Sequence, residues 1–149
     1  TNDSSYSVAG AALEALAVID GKEAFSIANT LSKDNNKGRL ASAISNTIII
    51  YGDESAYNFI AERFDKMPLS QAKFQATPSF IEFLGKVTNK ENFEKGVDMV
   101  VKFRAAIPQQ TRTQTDPFIN SLLKALADKK EGAGAKAMSD YVKSKLPAE

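Results

Sequence analysis

The sequence predicts an all-α domain, an α-α superhelix of about four helix pairs. Apolar residues return at helical spacing in every stretch long enough to read. No stretch alternates apolar and polar residues for long enough to argue for a strand, and the β-branched run Thr47 to Ile50 continues a helical stripe. One phrase is also written twice. IDGKEAFSI, Ile19 to Ile27, returns thirty-two residues later as YGDESAYNF, Tyr51 to Phe59. A repeat of this size implies pairs that cannot bury their apolar faces alone and must stack on a neighbour.

The first pair is expected over 4–33 and the second over 38–67. Val8, Ala11, Ala12, Ala15, Leu16 and Ile19 recur at helical spacing, and a shift of thirty-two gives Leu40, Ala43, Ile44, Thr47, Ile48 and Tyr51. Each first helix meets a polar break, Asp20-Gly21 or Gly52-Asp53. A second amphipathic stretch follows: Ala24, Phe25, Ile27, Ala28 and Leu31, then Ala56, Tyr57, Phe59, Ile60 and Phe64. Glycine at a helix end can take the left-handed capping conformation, and the adjoining aspartate can accept from the first amides of the next helix.

The third pair is expected over 71–107, after a connection from Pro68 to Thr77. Pro78 allows two readings: a helix that begins near Ser70 and kinks there, or a new helix with Thr77 as its cap. VTNKENFEKGV then places Asn89 as a cap and Phe93 thirty-six residues after Tyr57, leading into Val97, Val100, Val101 and Phe103. The fourth pair is expected over 116–146. Pro108 to Thr115, rich in Gln and Thr, reads as a mobile connection, and Thr115-Asp116-Pro117 as a helix start with proline in the first turn. Phe118, Leu122, Leu123, Leu126 and Ala127 make its first stripe. GAGAK, Gly132 to Lys136, is a turn, and Met138, Tyr141, Val142 and Leu146 make the last stripe before Pro147. Phe25, Tyr57 and Phe93 are expected as equivalent wedges between neighbouring pairs, packed as core. With no tryptophan for a tetratricopeptide pattern, the looser HEAT-like class fits better.

Composition narrows function mainly by exclusion. At 149 residues, 43% hydrophobic and 25% charged, the chain has the balance of one soluble globular domain spanning 1–149. Lys and Arg total 19 against 18 acids, so no strong field draws nucleic acid or an anionic membrane. The longest apolar runs are too short to span a bilayer. There is no histidine, which argues against a catalytic zinc site and against most general-base and nucleophile constellations. There is no cysteine either, so disulfide and thiolate chemistry are out while the compartment stays open, cytoplasmic or periplasmic. GxSxG is absent, and GAGAK lacks the spacing of a phosphate-binding loop. No catalytic, cofactor-binding or metal-binding residue is assigned. TNDSSYSV has neither basic patch nor apolar core and no initiator methionine, and it reads as a cut inside a longer protein.

DSSYSVAGAALEALAVIDGKEAFSIANTLSKD, then GRLASAISNTIIIYGDESAYNFI and QAKFQATPSFIEFLGKV, resembles the C-terminal helical-repeat domain of bacterial M1 metallo-aminopeptidases. The resemblance covers Asp3 to Val87; beyond Asn89 it is only architectural. Its features are D-x-S-Y-x-V opening a helix, the alanine-rich A-A-L-E-A-L, and G-D-E-S at the turn, none of them a catalytic motif. That family's HExxH zinc ligands and GAMEN stretch are absent here. The resemblance therefore implies a chain inert as a peptidase by itself, attached to a zinc-bearing hydrolase domain of the same polypeptide. It implies a lid or bowl over that zinc site, shaping the access of peptide substrates, with the second helices of the pairs facing the catalytic domain. The alternative from another class is a free-standing HEAT-like scaffold that binds a partner protein along a concave surface.

Overall fold

A computed structural model describes the chain from residue 2 to residue 148; Thr1 and Glu149, which the expected domain includes, lie outside it. The described residues are all-α, with no strand. Eight α-helices occur among them: α1 (Asn2–Ile19), α2 (Gly21–Leu31), α3 (Gly38–Tyr51), α4 (Tyr57–Lys66), α5 (Gln71–Leu84), α6 (Lys90–Ala106), α7 (Gln109–Gly132) and α8 (Lys136–Ser144). A single 3-10 turn, Glu54–Ala56, precedes α4. The chain divides into two compact units, Thr1–Ile60 and Ala61–Glu149.

In the first unit, α3 lies against both α1 and α2. Most of its expected stripe is buried: Leu40, Ala43, Ile44, Thr47 and Ile48 leave solvent, while Tyr51 at the end of the helix stays exposed. The stripe expected on α1 does not. Val8 is 71% exposed and Ile19 83% exposed, while Gly10 and Leu13 go inside. The reason is close approach: a Cβ at Gly10 would stand 2.8 Å from the Arg39 backbone, so the glycine lets α1 settle on the start of α3. The same register brings Glu14 to the Arg39 guanidinium, which holds the Glu14 carboxyl below its usual range by hydrogen bond and charge.

Both repeated turns carry the expected acid cap. Asp20 accepts from the amides of Lys22 (3.2 Å) and Glu23 (3.0 Å), and Asp53 accepts from Ser55 (2.8 Å). Bonds from the Ser55 hydroxyl and amide hold the Asp53 carboxyl below the usual carboxylate range. The left-handed glycine cap is not what the structure uses at these turns. Gly52 sits at φ −67, and the positive-φ glycines are Gly38 and Gly134. Gly21 and Gly52 are selected by space instead. A Cβ on Gly21 would fall 2.2 Å from the Tyr51 ring, and one on Gly52 would fall 2.1 Å from the Ile48 carbonyl oxygen. Of the three expected aromatic wedges, Tyr57 and Phe93 are buried but Phe25 is only half-buried.

In the second unit, Phe64 on α4 stacks on Phe80 of α5 with ring centres 4.3 Å apart and meets Phe103 of α6 edge-on. Ser70 caps α5 by accepting from Lys73, so the helix runs from Gln71 through Pro78, and Thr77 is not a cap. The Thr77 hydroxyl donates instead to the Lys73 carbonyl at 2.9 Å. Asn89 caps α6 as expected, accepting from Asn92 at 2.9 Å. Where α5 and α6 meet, a Cβ on Gly96 would stand 2.3 Å from a terminal methyl of Leu84, so any larger residue must displace that side chain.

The fourth pair begins earlier than expected. The stretch read as a connection from Pro108 to Thr115 is helical, and α7 starts at Gln109. The Pro108 carbonyl accepts from Thr111 (2.8 Å) and Arg112 (3.2 Å), closing the first turn. Arg112 reaches back to the carbonyls of Ile107 (2.8 Å) and Ala105, so the end of α6 and the start of α7 satisfy each other. Pro117 lies well inside α7. At the other end of α7, Lys130 is buried, 4% exposed, and donates to the carbonyls of Gly85 (3.1 Å) and Val87 beyond the end of α5. Its ammonium stands 5.0 Å from the centre of the Phe93 ring. The turn at GAGAK follows as expected, with Gly134 at φ +79 and Ala135 donating to the Lys130 carbonyl at 2.8 Å.

Candidate functional site

Acidic groups stand singly or in exposed pairs with lysine and arginine, as at Glu62 with Lys66 and Glu91 with Lys95. In both pairs the lysine lowers its partner's carboxyl pKa, chiefly through the hydrogen bond and then through charge. No group of three or more residues with metal-ligand chemistry occurs among the described residues. Without histidine or cysteine, this chain lacks the imidazole and thiolate donors that zinc sites are usually built from. Two other features have the shape of functional surfaces.

The first lies wholly in the second unit. The start of α5, the end of α6 and the start of α7 surround a cavity of about 390 Å³. Its walls are Leu69, Phe74, Phe103, Ile107 and Pro108, with Thr111 and Thr115 from α7. Phe103 is buried while Leu69, at the rim, is 53% exposed. A smaller hollow of about 120 Å³ shares Leu69 and Phe103 with it and adds Asp65, Lys73 and Lys102. The Lys73 ammonium is held by the carbonyls of Met67 (3.2 Å) and Asp65 (3.4 Å), and it stands 4.9 Å from the Phe64 ring centre and 5.6 Å from that of Phe103. Burial pushes its pKa down, and the nearby Lys102 charge adds to that while Asp65 opposes it.

Sequence reasoning did not find this cavity, because two of its walls fall where loops were expected. The signal was present in Leu69, Phe74 and Ile107, apolar residues with no place in the repeat stripes.

The second feature belongs to the first unit. Val8, Val18 and Ile19 on α1, and Ile50 and Tyr51 at the end of α3, are large apolar side chains left in solvent; Val18 is 86% exposed. The Tyr51 ring packs against Gly21, so the ends of α1 and α3 meet at the repeated turns, and Ile19 and Tyr51 each directly precede one of them. Ile27 on α2 is the marginal case at 38%. Exposed apolar groups of the first unit thus lie mostly on its first helices, α1 and α3, with Ile27 on α2.

No helix among the described residues is long and apolar enough to cross a membrane. Compared with models of protein families, with curated proteins and with solved structures, the chain finds no match.

Proposed function

We propose that this chain is the non-catalytic C-terminal helical domain of an M1-type zinc aminopeptidase, covering the active site and shaping substrate access. The observation that carries the reading is the exposure of large apolar side chains on α1 and at the end of α3, namely Val8, Val18, Ile19, Ile50 and Tyr51, which a covering surface would bury. The resemblance of Asp3 to Val87 supplies the identity of that surface, the catalytic domain of the same polypeptide. Zinc and its ligands would belong to that domain. This chain supplies no reacting group, and its contribution is exclusion: a domain that closes over a site selects substrates without touching the scissile bond.

The test compares the full-length parent with a version lacking Asp3 to Glu149, with zinc present, on amino-acid arylamides and longer peptides. Loss of activity or of length preference on truncation is the expected result. A second arm replaces Val18 and Ile19 with serine in the parent, and the same loss of length preference is expected with zinc content unchanged. A parent without zinc or peptidase activity overturns the reading, and the same apolar face then belongs to a free-standing scaffold for a partner protein.

A further inference from the structure

The cavity belongs wholly to the second unit, and its reading does not depend on the proposed function. Its walls are apolar and include two phenylalanine rings, and its volume of about 390 Å³ lies in the range of small-molecule sites. A cavity of ~150 Å³ accepts benzene, so by proportion this one holds on the order of 15 heavy atoms. That suits a single flexible chain, because a second, charged hollow shares the Leu69 and Phe103 side chains with the cavity.

That hollow carries two ammonium groups, Lys73 and Lys102, against one carboxylate, Asp65. Among the described residues neither lysine is in an ion pair. Lys73 spends two N–H groups on backbone carbonyls and keeps one. The depressed proton affinity of Lys73 comes chiefly from its burial, against which the Asp65 charge acts, with Lys102 adding a smaller push in the same direction as burial. One added negative charge would balance the hollow. We infer that the second unit binds a single-chain carboxylate amphiphile of about ten to fourteen carbons, its tail between Phe74, Phe103 and Ile107 and its carboxylate at Lys73 and Lys102.

The experiment titrates the protein with monomeric dodecanoate and dodecanol, by calorimetry and by amide chemical-shift mapping. Dodecanoate is expected to bind at one site, shifting Leu69, Phe74 and Thr111, and to bind more tightly than dodecanol. Lys102→Gln, at an exposed position, is expected to weaken dodecanoate about fivefold, which is what a partly exposed charge pair contributes, and to leave dodecanol unchanged. Thr111→Phe, which fills the cavity from its rim, is expected to abolish both. Three results each overturn the inference: no binding, equal affinity for acid and alcohol with no effect of Lys102→Gln, or binding that Thr111→Phe leaves intact. Thermal melts of both variants beside the wild type establish that they are folded.

Discussion

Tyr57 shows what burial does to a single polar atom. Its ring is 5% exposed, and its hydroxyl has no hydrogen-bond partner. An unsatisfied buried hydroxyl costs about 1–3 kcal/mol, so Tyr57→Phe is expected to raise stability by about 1 kcal/mol in denaturant titration. Desolvation also raises the phenol's pKa above its ordinary value. A group whose folded pKa is raised contributes its full share below the unfolded value and loses it as pH rises through the folded one. The wild type should therefore lose stability above about pH 10, and Tyr57→Phe should flatten that loss. A phenylalanine variant with an unchanged alkaline melting profile would assign the loss to other groups. The sequence placed Tyr57 in the core, but it could not show that the hydroxyl is orphaned, because partners depend on neighbours distant in the chain.

Caps were legible at the scale of the helix, and faces were less so. Asp20, Asp53 and Asn89 act within three residues of themselves, so local pattern was sufficient to find them. The buried face of α1 depended on where α3 lies, and the repeat of thirty-two residues pointed to the same register for an edge helix and a central one. Pro117 misled for a related reason. Proline with a capping residue before it favours a helix start, yet the turn closed by Pro108 and the Arg112 bonds to the end of α6 carry the helix back from the expected residue 116 to Gln109. Glycines at helix contacts were also invisible to pattern, since only packing explains them. Gly96→Ala tests that account. The new methyl group meets Leu84 and should cost about 1–3 kcal/mol through overpacking, despite alanine's better helix propensity. A variant as stable as the wild type would mean that α5 and α6 tolerate a wider spacing.

The whole molecule carries nearly balanced charge, +1 at pH 7. Its ion pairs, such as Arg39 with Glu14, Lys95 with Glu91 and Lys143 with Glu131, join side chains that stand largely in water. Exposed pairs contribute little and are screened within about 10 Å at 0.1 M salt. Raising sodium chloride to about 0.5 M should change unfolding stability by about 1 kcal/mol or less. A larger loss would show that some of these pairs act as a network. The all-α class was legible because helical periodicity is a property of every segment, whereas the cavity beside Phe74 and Phe103 arises only when three segments meet. Lys130 has a further practical consequence. Held between the carbonyls of Gly85 and Val87 and covered by the fold, its amine is sheltered from acylating reagents for as long as α5 and α7 stay together. The rate at which it takes up such a label, set beside exposed Lys66 or Lys95, becomes a clock for how often the interior of the second unit opens.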